Sequence, residues 1–311
     1  MGNMTRIWRY LGINPGSKIQ GSPAPEEKRA ESAMHGDFYL PTEVFARSGS
    51  EPYMEYSHPV ASDFYHPLFG DMLARLGHPF QMHRKLWEYA YIDFQLRKLK
   101  KISPGTRGLC FGVGQEKLPA IFAASGCKIM ATDAPPEIGE HWAGSKEYGR
   151  DVMDLNYDGV ISPDEFKKLV QYQNVDMNNI GEELAEYDFC WSACCLEHLG
   201  SLKLGLDFIK NSISTLRVGG VACHTTELNL SSNTETVETG GTVLYRLADL
   251  QTFEAEIQAM GHEMQPLRIA APASPVDHHI DVPPYQHNPH LKLLLEGYVS
   301  TSVGITIVRR K

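Results

Sequence analysis

Beyond residue 106 short apolar runs alternate with amphipathic segments, and that alternation leaves few folds open. Gly108 to Phe111 reads as a first buried strand, Lys128 to Thr132 as a second and Tyr172 to Met177 as a third. Tyr187 to Ser192 gives a fourth and Val221 to Thr226 a fifth. Between the last two, Leu202, Leu206, Ile209, Ile213 and Leu216 recur at helical spacing, and Gly219-Gly220 closes that helix. Strand, helix, strand in succession implies right-handed βαβ units and a parallel sheet covered on both faces. A helix from Leu247 to Met260 then precedes two more strand candidates, His262 to Ala270 and Ser302 to Val308. About thirty residues separate these two, too many for an ordinary connection, which suggests a functional loop or lid.

Residues 1 to about 78 are rich in Pro, Gly, Ser, Tyr and His without a sustained period, and read as an irregular arm or lid. From Pro79, Met82, Leu86 and Tyr89 form one helical stripe with Trp87, Tyr91 and Phe94 beside it, ending at Pro104-Gly105. The division expected is therefore 1–102 as lid and leading helix, with 103–311 as the catalytic domain. Lys and Arg total 29 against 38 Asp and Glu, a net charge of −9, which argues against nucleic acid as a partner. No apolar stretch has the length of a membrane span or a signal peptide, so the expected location is the cytoplasm, away from the membrane. The 6 cysteines fall in strand and helix-start segments and form no C-x-x-C, as reduced, buried cysteines do.

The stretch richest in chemistry is Gly112-Val113-Gly114-Gln115-Glu116, between the first strand and a helix containing Leu118, Ile121 and Phe122. Glycines there admit a ligand to the backbone, and the helix start offers free N–H groups. Asp133 ends the second strand, about twenty residues on, where an acid can take both hydroxyls of a ribose. A nucleoside-containing cofactor follows. A dinucleotide fingerprint needs a third glycine at 117, where this chain has Lys117.

Four segments together resemble the class I S-adenosylmethionine-dependent methyltransferases. They are Gly112-Val113-Gly114 with Asp133, then Val175-Asp176-Met177-Asn178, then Tyr187 to Ser192 running into Leu196-Glu197-His198-Leu199, and finally Leu216 to Gly220. The resemblance covers roughly Thr106 to the C-terminus. It implies an α/β, doubly wound, Rossmann-like sheet of seven strands, the last antiparallel, behind the N-terminal helical or irregular lid. It also implies S-adenosyl-L-methionine as cofactor, with Gly112 and Gly114 at its amino-acid end, Asp133 at the ribose, Asp176 at the adenine with Met177 or Asn178 beside it, and Ser192 nearby. Three positions depart from the family pattern: Cys110 stands for the usual strand-one acid, Glu116 for the third glycine and Val218 for a proline. Glu116 is the residue that can replace the missing carboxylate.

Methyl transfer needs alignment of acceptor and sulfonium, and removal of a proton when the acceptor is a hydroxyl. His224 and Glu227 end the fifth strand, and Glu197-His198 follow the fourth. Histidine titrates near neutrality, so His224 is the expected base, with Glu227 and His198 as further catalytic candidates. The expected acceptor is a small molecule or saccharide methylated at oxygen; self-association into a homo-oligomer stays open. Trp142 and Trp191 could close over the cofactor or remain core.

Two segments leave a divalent metal open. In the late loop, Asp277, His279 and Asp281 would share one face if extended, with His287 and His290 following. Asp154 to Glu165 fits a calcium loop, yet Ser162-Pro163-Asp164-Glu165 fits a helix start equally, and Glu165 cannot serve both. The rival readings are a nicotinamide-dependent oxidoreductase and a non-catalytic calcium- or nucleoside-binding protein on the same sheet.

Overall fold

The computed structural model describes residues 52–139, 152–156 and 160–311. One sheet organises them. Its strands are β1 (Arg107–Phe111), β2 (Lys128–Asp133), β3 (Val170–Asn174), β4 (Tyr187–Ala193), β5 (Leu216–Asn229), β6 (Glu263–Met264), β7 (Lys292–Leu295) and β8 (Tyr298–Val308). They lie in the order β3-β2-β1-β4-β5-β8-β6, with β7 also pairing β8. The first five are mutually parallel, and β8 runs antiparallel to β5 as expected.

The sheet has eight strands rather than seven, because β7 folds back on β8 as a hairpin within the late loop. The strand expected over His262 to Ala270 shrinks to the two residues of β6, which pair the end of β8. The third strand is displaced toward the N-terminus: Val175 donates its N–H to the carbonyl of Asp133, and the chain turns away there. That shift places Asp176 and Met177 on the strand tip.

Helices cover both faces, as the βαβ pattern requires. On one face lie α7 (Leu202–Ser214) and α8 (Leu247–Ala259), burying Phe208, Ile209, Ile213, Leu250, Phe253 and Ile257 against Leu109, Phe111, Cys190, Ala222, Ile305 and Ile307. Ser201 caps α7, its hydroxyl accepting the N–H of Leu204 at 3.2 Å. The other face carries α1 (Ala61–Phe64), α2 (Pro67–Leu76), α3 (Arg84–Lys98), α4 (Leu118–Ala124) and α6 (Pro163–Leu169). Short α5 (Pro136–Gly139) and α9 (Pro275–His278) complete the helices.

Within 52–78, where an irregular arm was expected, the chain forms α1 and α2; Phe64, Phe69, Met72 and Leu76 are buried with α3. The helix expected from Pro79 starts at Arg84, because the chain up to His83 is extended and the segment bonds to the late loop: His290 N donates to Met82 O at 2.7 Å and Arg84 N to His290 O at 3.0 Å. Gly304 on β8 makes room for α3, since a Cβ there would stand 2.3 Å from the Tyr91 ring. All six cysteines are free thiols. Among the described residues no helix is long and apolar enough to cross a membrane.

Candidate active site

In a doubly wound sheet the ligand crevice opens at the carboxyl ends of the strands, where the order reverses. Here that point lies between β1 and β4. The chain leaves β1 through Gly112 and Gly114, whose φ values of 61° and 48° lie in the left-handed region that favours glycine. A Cβ on Gly112 would meet the Cys195 sulfur at 2.8 Å and the Met177 sulfur at 3.5 Å, so this bend is seated between the tips of β3 and β4. Gly114 N donates to Asp133 Oδ2 at 3.0 Å, and Ala134 N to Asp133 Oδ1 at 2.9 Å. Each carboxylate oxygen keeps a lone pair beyond these contacts, enough for a diol. Burial pushes the Asp133 carboxyl up. Asp176 turns its own loop, Oδ1 accepting Asn178 N at 2.8 Å, and Met177 packs its sulfur 3.9 Å from Cys195. Gly112, Gly114, Asp133, Asp176 and Met177 thus sit together on three neighbouring strand tips.

Glu116 turns inward. Its Oε1 accepts from the Trp191 indole at 2.6 Å and the Cys110 thiol at 3.2 Å. The carboxylate therefore returns to the place of the acid missing at Cys110, and burial pushes it up to about 7. Trp191 is core, fully buried against Phe122 and Phe189 rather than closing over a ligand. Trp142 lies outside the described residues.

The expected base is misplaced. His224 points to the α7 face, 0% exposed, with Nδ1 2.8 Å from Ser192 Oγ and Nε2 3.0 Å from Ser212 Oγ. Burial lowers its pKa to about 3. With both nitrogens occupied and no path to solvent, His224 is an interior histidine and cannot take a proton from an acceptor. Ser192 spends its hydroxyl on that ring, which removes its side chain from the cofactor.

Glu227 reaches the strand tip as expected, but as a counter-charge. Its Oε1 lies 2.5 Å from Arg84 Nη1, and its Oε2 accepts Ser300 Oγ at 2.6 Å. Around it α3 delivers a buried polar network. Glu88 accepts from Ser302 at 2.5 Å and from Lys85 at 3.1 Å, and Lys85 also donates to the Ala193 carbonyl at 2.7 Å. Burial pulls Arg84 and Lys85 down, yet the acidic groups around them, Glu227 foremost at Arg84 and Glu88 foremost at Lys85, together raise them by more, so both stay charged. Sequence reasoning missed Arg84, Lys85 and Glu88, because charges on an amphipathic helix usually mark its solvated face. The available signal was that they interleave with Trp87 and Tyr91, leaving α3 no polar side.

Cys194, just past β4, holds φ 56°, a strained value for a side-chain-bearing residue. Its thiol donates to Glu197 Oε1 at 2.7 Å, while Thr226 donates to Glu197 Oε2 at 3.1 Å. Burial raises the Glu197 carboxyl. His198 sits beside it: Nδ1 lies 2.7 Å from the Gly241 carbonyl, and Nε2 3.8 Å from Glu197 Oε1. A carbonyl accepts only, so Nδ1 carries the proton and Nε2 is the basic nitrogen.

Among the described residues, the side chains of both metal candidates from the sequence are engaged otherwise. Asp277 lies in α9 rather than a strand, and its carboxylate takes the N–H groups of Ala61, Ala273 and Ser274. His279 is the C-cap of that helix, so Asp277 and His279 do not share a strand face with Asp281. Glu165 serves the start of α6, its carboxylate accepting the Ser162 hydroxyl at 2.7 Å and its N–H donating to that N-cap hydroxyl at 3.4 Å, while Asp154 lies in a separate 3-10 turn. Asp158 and Gly159 of that calcium pattern lie outside the described residues.

No protein-family model matches the sequence, and no curated protein matches it. Solved structures do. A putative sarcosine dimethylglycine methyltransferase from Galdieria sulphuraria is 15% identical over 73% of this chain and 84% of its own, at TM-score 0.44. The methyltransferase domain of bacterial CtHen1-C is 13% identical over 71% and 95%, also at 0.44. The [4+2]-cyclase SpnF is 15% identical over 68% and 77%, at 0.39.

Proposed function

We propose that this chain is an S-adenosylmethionine-dependent methyltransferase that methylates a hydroxyl of a small molecule or saccharide. The observation that carries the reading is the meeting of the Gly112–Gly114 bend, Asp133 and Asp176–Met177 on adjacent strand tips, with Gly114 N bonded to Asp133. Asp133 would hold the ribose hydroxyls, Asp176 and Met177 the adenine, and the glycine bend the amino-acid end, with Glu116 in the role of the absent strand-one acid. When bound, the cofactor supplies an electrophilic methyl group on a sulfonium. His198 is the base in this reading: its Nε2 accepts the acceptor's proton, the buried Glu197 carboxylate stabilises the imidazolium, and Gly241 fixes the ring. In this reading 103–311 would be the methyltransferase domain and 1–102 a lid with its leading helix, of which 1–51 lie outside the described residues. The six free thiols suit a reducing cytoplasm.

Calorimetry separates this from the nicotinamide reading. The protein should bind S-adenosylhomocysteine and not NADH, and Asp133→Ala should weaken that binding about 10- to 100-fold, the scale of one or two hydrogen bonds to a charged group. Binding of NADH instead, or affinity unchanged in Asp133→Ala, removes the reading.

A further inference from the structure

We propose that His83, His287 and His290 form a three-nitrogen site for a divalent transition-metal ion, with Asp281 as the carboxylate behind His290. One ring nitrogen from each histidine lies within 4.8 Å of the other two. His83 is the last extended residue before α3 and bridges to His290 through the backbone. Their rings stack with centroids 4.6 Å apart, and the His287 ring lies 5.2 Å from that of His290.

A second observation points to a ligand. His83 and His290 are both 0% exposed, and the Nε2 atom of each is buried without a hydrogen-bond partner. Buried polar atoms in folded proteins almost always have partners, so two left without one on neighbouring buried rings call for a ligand. Asp281 Oδ2 sits 2.7 Å from His290 Nδ1 and also accepts His287 N–H at 2.9 Å, while Oδ1 accepts Gln286 N–H at 3.0 Å. The proton is thereby held on His290 Nδ1 and the lone pair on Nε2, which is how a carboxylate orients a ligating imidazole. Burial pushes His83 and His290 down, toward the neutral form that ligates.

Three imidazoles and no carboxylate in the ligand set suit Zn²⁺, Co²⁺ or Ni²⁺ rather than Mg²⁺ or Ca²⁺. Tetrahedral zinc at about 2.0 to 2.1 Å from each nitrogen sets the nitrogens roughly 3.4 Å apart, so the rings close by on the order of 1 Å. His83 Nδ1 accepts the N–H of Lys85 at 3.1 Å. Ligation through Nε2 moves the ring proton to Nδ1 and gives up that single cap contact. Arg84, next in the chain, presents no uncompensated charge to the ion, since Glu227 lies at 2.5 Å and Glu88 at 3.8 Å. The ion would fasten the 281–290 loop to the start of α3, the helix that carries the buried network, and the site stands independently of the methyl-transfer reading.

The test uses the full chain, stripped with chelator and titrated with Co²⁺ under visible absorption, then with Zn²⁺ by displacement and by thermal melting. One equivalent should bind with a tetrahedral-type Co²⁺ spectrum, and Zn²⁺ should raise the Tm. His290→Gln and His83→Gln should abolish the spectrum, and Asp281→Asn should weaken binding about 10- to 100-fold, the usual effect of losing an orienting carboxylate. Should those buried substitutions prevent folding, the less buried His287→Gln carries the test in their place. Cys194→Ser should retain full stoichiometry, which distinguishes this site from the Cys194, Glu197 and Glu227 group, also within 4.8 Å of one another. Absence of saturable Co²⁺ binding by the folded wild type overturns the proposal. So does undiminished binding in folded histidine variants, or binding lost in Cys194→Ser.

Discussion

The glycine bend and the α3 network lie on the same edge of the sheet, yet they are built in different ways. The bend is local: Gly112, Gly114 and Asp133 come from one βαβ unit, and their contacts are largely to backbone N–H groups. The network joins Arg84, Lys85 and Glu88 to Thr225, Glu227, Ser300 and Ser302, residues well over a hundred positions away in sequence. The first arrangement follows from chain geometry and tolerates sequence change wherever the backbone is kept. The second depends on matched charges in a buried place, where one missing partner strands the other.

That contrast predicts its largest effect at Arg84. Arg84→Met leaves Glu227 buried without its counter-charge, and should cost about 3 to 5 kcal/mol, whereas Arg84→Met with Glu227→Leu should recover much of the loss. Urea denaturation of the four proteins of this cycle measures it. An Arg84→Met protein as stable as the wild type would mean that water already reaches the network.

Catalysis comes next. His198→Ala should lower kcat at least about a hundredfold while S-adenosylhomocysteine affinity holds, since the ring serves proton removal and not the cofactor. Equal turnover in that variant would reassign the base. Loss of affinity together with turnover would show that the two halves of the site are not separable.

The smallest effects are pH slopes, and two interior groups give opposite signs. His224 has a folded pKa near 3, below the ordinary 6.5, so the unfolded chain binds a proton that the native state refuses. Its contribution is full above pH 6.5 and falls as the pH drops from there toward 3, by about 1.4 kcal/mol per unit. Glu116, raised to about 7 from 4.5, does the reverse: its contribution is full below pH 4.5 and is lost as the pH rises toward 7. Stability against pH should therefore flatten on the acid side in His224→Gln, and lose its decline between pH 4.5 and 7 in Glu116→Gln. A His224→Gln protein with the wild-type acid slope would show that this ring is hydrated.

Legibility in the sequence followed the same divide. The position of Asp133 beside the glycine bend could be read, because both come from one βαβ unit whose geometry is local. His224 was misread because a strand's alternation tells which residues share a face but not which face the acceptor meets. Ser192 failed with it, being its hydrogen-bond partner on the neighbouring strand. The late-loop histidines read as a ligand set with Asp277 and His279, but α9 turned those away, and the trio closed on His83 from the other end of the chain.

The sequence by itself determined the βαβ alternation, the parallel order of the first five strands and the residues on their tips, because hydrophobic period and glycine placement act over a few residues. Only the tertiary structure decided which charged side chains are buried, which histidine keeps a basic nitrogen and which rings meet. Those outcomes depend on desolvation and on partners brought together by folding, and neither is written in any local stretch of chain.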